Sequence, residues 1–160
     1  MTLDLYRGDL VARAAHLATL HPEELRRRAV EAARDKDPAA LWALTEAHLT
    51  THGSSGARAS KHTLRVYGEA VRSFLAYATE NAVNLLAPGA NVGALYLRQL
   101  EAEGKSPATV RVKLAGARAL YKALRWAGAT TADAFADADR KSGSAGMPRP
   151  WKQSRMPSSA

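Results

Sequence analysis

Cysteine is absent from all 160 residues, which excludes disulfide staples and thiolate metal sites and suits a reducing compartment. No apolar run approaches the roughly 20 residues that a membrane-spanning helix needs. The N-terminus, with Asp4 and Asp9 among scattered apolar residues, lacks the layout of a signal peptide. Alternation of β-branched and polar residues is nearly missing, so a sheet has no sequence support. There is no glycine-rich phosphate loop after a strand, no Ser/His/Asp arrangement and no paired carboxylates. What remains is an alanine- and leucine-rich chain of one-domain length, able to bury a sizeable core and expected to be soluble and cytoplasmic.

Charge is unevenly placed. The chain has 23 Lys and Arg against 15 Asp and Glu, a formal net charge of +8. Residues 1–59 carry 8 basic and 8 acidic side chains, residues 60–128 carry 10 and 4, and residues 129–160 carry 5 and 3. The sharpest imbalance lies between Glu103 and Asp133, where Lys105, Arg111, Lys113, Arg118, Lys122 and Arg125 occur without one acidic residue. Val110, Leu114, Ala117, Leu120, Tyr121 and Leu124 recur among them at helical steps, so one helix would offer an apolar face to a core and a positive face to solvent. Protein surfaces usually mix both signs. An uncompensated positive face points to a polyanion. A membrane surface is the competing polyanion, but the basic helices lack the Trp- and Phe-rich face that interfacial insertion uses.

Punctuation divides the rest into helices. Asp9 can cap a helix through about Leu20, with Leu10, Ala14 and Leu17 on one face. Pro22-Glu23-Glu24 suits the first turn of a second carrying Leu25, Ala29 and Ala33. Asp37-Pro38 opens a third with Leu41, Leu44 and His48 aligned, and Gly53-Ser54-Ser55-Gly56 reads as a flexible linker. Ser60 caps a helix whose stripe is Leu64, Tyr67, Val71, Phe74, Leu75 and Ala78, with Lys61, Arg65 and Arg72 on another face. Residues 84–91 form a loop, and a short helix with Leu95, Leu97 and Leu100 ends at Gly104. Ser106 and Pro107 then launch the acid-free helix, in which Ala115-Gly116-Ala117 can admit a neighbour closely. A weak helix is expected around residues 132–138, and a flexible basic tail over 140–160.

Two patterns stand at a telling distance. Ser60-Lys61-His62-Thr63-Leu64-Arg65-Val66-Tyr67 is followed by Phe74-Leu75, and Gly104-Lys105-Ser106-Pro107-Ala108-Thr109-Val110 is followed by Leu114, Ala117, Leu120-Tyr121 and Gly128. Together, over residues 60–128, they resemble the N-terminal core-binding (SAM-like) domain of the tyrosine recombinase, or phage integrase, family. The resemblance implies an all-α, four-helix SAM-like bundle that serves DNA recombination and DNA integration as half of a clamp on double-stranded DNA. Carried over by position, the DNA-binding residues are Lys61, His62, Thr63, Arg65 and Arg72 of the first helix. Lys105, Ser106, Thr109, Arg111, Lys113, Arg118 and Lys122 come from the second. Independently, hydroxyls and amides at a helix N-terminus suit phosphate oxygens, and lysines and arginines farther along release counterions.

The family's chemistry lies in a larger C-terminal domain with two arginines, a lysine, an H-x-x-R motif and a nucleophilic tyrosine. His62-Thr63-Leu64-Arg65 spells H-x-x-R, but it sits on the first core-binding helix, outside any such context. The expectation is therefore a chain that binds DNA without cutting it and needs no cofactor, metal or small-molecule substrate. It would be nucleoid-associated, with self-association on DNA allowed for. Residues 1–59 would be an N-terminal helical extension and linker, 60–139 the core-binding domain, and 140–160 the tail. Three alternatives stay open: a piece of a full recombinase, a catalytically silent occupant of recombination sites, or a helical module whose basic face meets an acidic protein. Several features have plainer structural readings. Tyr67, Phe74 and Tyr121 fit a core. Arg26-Arg27-Arg28 is balanced by Glu23, Glu24 and Glu31. His48 and His52, one turn apart, lack a third metal ligand, and His16 and His21 suit a core edge and a cap neighbour.

Overall fold

In the computed structural model, which describes residues 3–136, six α-helices and one short 3-10 turn succeed one another with no strand among the described residues. The helices are α1 (Leu3–Ala18), α2 (Pro22–Asp35), α3 (Pro38–His52), α4 (Lys61–Glu80), α5 (Val92–Ala102) and α6 (Pro107–Trp126), with the 3-10 turn at Gly56–Arg58. The all-α class read from the sequence is the class observed. Among the described residues, no helix is long and apolar enough to cross a membrane.

Most helix starts follow from capping chemistry. The Asp37 carboxylate accepts from the amides of Ala39 and Ala40 at 3.1 and 3.3 Å, with Pro38 in the first turn. Ser60 and Ser106 cap α4 and α6 in the same way, each hydroxyl accepting from the amide three residues on and donating to that threonine's hydroxyl. Such caps are worth about 1 kcal/mol each. His21 caps α2 itself, its Nδ1 accepting from the Glu23 amide at 3.2 Å. Gly104, with φ +80°, ends α5 in the left-handed conformation that its lack of a Cβ permits.

Three expectations about the first half need correction. The first helix begins at Leu3 and runs through Asp9, because a lone glycine at position 8 costs about 1 kcal/mol and does not stop a helix that packs on its neighbours. Nor is Gly53-Ser54-Ser55-Gly56 a flexible linker. The Gly53 amide donates to Leu49 O at 2.9 Å and the Gly56 amide to Gly53 O at 3.1 Å, while the 3-10 turn packs on α1 and α3. His16, expected at a core edge, is exposed.

Helix α3 is the hub, touching α1, α2, α4 and α6. It packs on α4 and α6, while α5 rests on α6, so the packed group draws one member from ahead of the glycine-serine turn. Helices α4 and α6 make the most extensive contact, seated at Gly116, where an added Cβ would strike the Ala70 side chain. A single apolar core runs from Leu25 on α2 to Phe135.

At its centre Phe74, Tyr96, Tyr121 and Phe135 meet mostly edge-on, with ring centroids 5.1–6.2 Å apart. The Tyr121 hydroxyl donates to Leu85 O at 2.8 Å. Burial, then the Asp133 charge, pushes that phenol well above its ordinary range and keeps it a donor. Where a weak helix was expected, residues 130–136 form turns that plug this core. Thr130 Oγ1 donates to Leu86 O, the Phe135 amide to Asp133 Oδ1, and Phe135 is fully buried. On α5 the inward residues are Gly93, Tyr96 and Leu100, while Leu95 is 58% exposed. Positions beyond 136, including the basic tail, lie outside the described residues.

Candidate nucleic-acid interface

Lys61, Arg65 and Arg72 share one exposed side of α4, flanking the buried Leu64, Val71, Phe74 and Leu75, because residues four and seven apart share a helical face. Their side chains differ in what they touch. Lys61 Nζ lies 5.0 Å above the Tyr6 ring of α1, a cation–π contact. The Arg72 guanidinium covers Gly68, where the Trp42 indole of α3 also rests. Arg65 Nη2 lies 3.0 Å from His62 Nδ1, so the H-x-x-R residues hold one another on an exposed turn. The Thr63 hydroxyl is engaged with the Ser60 cap.

On α6, Arg111, Arg118 and Lys122 are seven and four residues apart and share one side, flanked by Ala115 and Arg125. Arg111 and Lys122 are exposed and Arg118 is half-buried. Lys113, two positions from Arg111, projects toward the opposite flank and is half-buried, as is Thr109. Lys105 and Ser106 are exposed just ahead of the helix. Arg125 is compensated from beyond the acid-free run, by Asp133 at 3.4 Å and Ala132 O at 3.3 Å. Arg111, Lys113 and Lys122 form no ion pair among the described residues. By contrast, Arg27 and Arg28 are both bridged to Glu24, and Arg27 also to Glu31. Among the described residues, Arg111, Lys113 and Lys122 lack the carboxylate partners that Arg27 and Arg28 have on α2.

Residues 54–128, from the glycine-serine turn to the end of α6, match the family model for the phage integrase N-terminal SAM-like domain. That stretch is similar to an integrase SAM-like domain. Neither a curated protein nor a solved structure matches the chain. The matched stretch holds α4, α5 and α6, whereas α3, which packs on α4 and α6, precedes it.

The twelve residues expected to bind DNA thus lie on α4, on α6 and on the turns that open them, with Lys113 on the opposite flank of α6 from Arg111. Arg118 and Lys122 are brought together at one cavity, His62 with Arg65, and each serine cap with its threonine.

The cavity beside Arg118 and Lys122 also recruits residues that the sequence reasoning placed elsewhere. His48, His52 and Tyr67 line it. The two imidazoles lie 5.2 Å apart and both meet the Trp126 ring. No group of three or more metal-ligating side chains occurs among the described residues, so this pair lacks a metal set. His48 Nδ1 is buried without a hydrogen bond, an arrangement that costs about 1–3 kcal/mol. Burial foremost, then His52, Lys122 and Arg125, holds His48 below its ordinary pKa and favours the neutral ring. The i, i+4 spacing of the histidines was the visible signal; their meeting with α6 was not.

Proposed function

We propose that this chain binds duplex DNA through the outward sides of α4 and α6, holding it for site-specific recombination without cutting it. The observation that carries the reading is the acid-free α6, whose exposed Arg111 and Lys122 have no counter-charge within the described fold. The integrase-type SAM-like domain matched over the same residues supports it. Residues 60–136 act as the DNA-binding unit, and the helices before them brace it through α3. Phosphate contacts supply affinity, and each phosphate neutralised contributes about −0.9 to the slope of log K against log salt.

Fluorescence anisotropy with a labelled duplex at several salt concentrations tests this. Arg65→Glu with Arg111→Glu, both exposed, should abolish most binding. Arg27→Glu with Arg28→Glu should change little, since those arginines are already paired. Equal loss from both pairs would mean that the surface lies elsewhere. Salt-independent binding would remove the electrostatic mechanism.

A further inference from the structure

Where the end of α3 meets α4 and α6, a cavity of about 430 Å³ gathers polar groups from three elements. His48, His52 and Ser54 come from α3 and the turn after it, Tyr67 from α4, and Arg118 and Lys122 from α6. No carboxylate is among its lining residues. Two cations, two imidazoles and two hydroxyls form the complement of a small oxyanion. They repel a metal cation and offer little to an apolar ligand. The volume falls within the range of about 300–1,000 Å³ found for small-ligand sites, and far exceeds the share of one water, about 30 Å³.

Arg118 and Lys122 also lie on the side of α6 that carries Arg111. A polyanion lying along that side passes the mouth of the cavity. Arginine supplies a planar fork and lysine a compact charge, the two side chains best suited to phosphate oxygens.

We infer that this cavity seats one backbone phosphate of the bound DNA and fixes the duplex along α6. The inference rests on the DNA-binding reading above. Seating is linked to protons. An anion here opposes the charges facing His48, which are His52 of α3 and Arg118, Lys122 and Arg125 of α6; Tyr67 of α4 lines the same cavity. Seating there favours the protonated His48 ring, so binding through the cavity strengthens as the pH falls.

The test uses the full chain and two probes, inorganic phosphate and a short DNA duplex. Imidazole NMR resonances of His48 and His52 should shift saturably with phosphate, and not with chloride at equal ionic strength. His52→Ala with Lys122→Ala, both exposed positions, should remove the response. The same change should weaken duplex binding about tenfold and lower the salt slope by about 1. Imidazoles unmoved by phosphate overturn the inference. Phosphate shifts with unchanged duplex affinity in the double variant also overturn it, assigning the cavity to free phosphate. A duplex loss confined to Arg65→Glu with Arg111→Glu sinks this inference alone. Absence of any duplex binding by the unaltered chain sinks the DNA-binding reading as well.

Discussion

Gly116 offers the most direct check on how α4 and α6 are joined. In an exposed helix, Gly116→Ala would stabilise by about 1 kcal/mol through helix propensity. Here the new Cβ would collide with the Ala70 side chain, while the Tyr67 carbonyl oxygen would stand 3.2 Å away and the Ala70 carbonyl carbon 3.4 Å away. Two of those neighbours are backbone, so relief requires the helices to part, and overpacking of this kind costs about 1–3 kcal/mol. The two effects leave alanine with a net loss of about 0–2 kcal/mol. Valine recovers less propensity and adds two more carbons to the same space, so its loss should reach about 3 kcal/mol. At about 2–4 °C per kcal/mol for a chain of this size, Gly116→Val should lower Tm by about 6–12 °C. Ala70→Gly alone should cost about 1 kcal/mol, yet in the Gly116→Ala background it removes the struck methyl and should be neutral or stabilising. Thermal unfolding of the four chains closes that cycle. A Gly116→Ala chain more stable than the parent by the whole propensity gain, or additive behaviour of the pair, would refute close contact at this point.

Two further outcomes follow from buried polar groups. His48 has a depressed pKa in the fold, so below its ordinary value of 6.5 the unfolded chain binds more protons than the folded one. Stability should be full above that pH and fall as the pH drops through the window beneath it. The urea midpoint should therefore be lower at pH 5.5 than at 7.5, with the difference reduced in His48→Gln; a midpoint that rises on acidification contradicts the assigned cause. Tyr121→Phe deletes the donor to Leu85 O inside the core. It should cost about 1–3 kcal/mol by leaving that carbonyl unpaired, and a chain of unchanged stability by chemical denaturation would show that the bond contributes nothing.

Local chemistry made much of this molecule legible. Asp37, Ser60 and Ser106 were identifiable as caps, although the same reading misplaced Asp9, and Gly104 as a terminator because glycine takes a positive φ without a Cβ clash. The three- and four-residue steps located Leu64, Phe74, Leu114 and Leu120 in the core. Long-range contacts escaped notice. Nothing near Phe135 in sequence reveals that it fills the space between Phe74, Tyr96 and Tyr121, and Leu95 was as apolar a choice for α5 as Tyr96. The glycine-serine run was misread because composition reports the freedom of an isolated peptide, while packing against α1 and α3 removes it. At the candidate interface, the acid-free stretch was plain, but charge counting alone treats Arg111 and Lys113 as partners when helical geometry separates them.

The turn that carries Phe135 into the aromatic cluster sets a practical boundary. The recognisable stretch stops at residue 128, yet a chain trimmed there, or started at residue 54, would lose this wedge or the whole of α3. Removing a buried phenylalanine alone is worth about 3–5 kcal/mol, enough to unfold many domains. The smallest autonomous unit is therefore larger than the stretch a family comparison outlines, and expression boundaries are better drawn from where Trp42 and Phe135 sit.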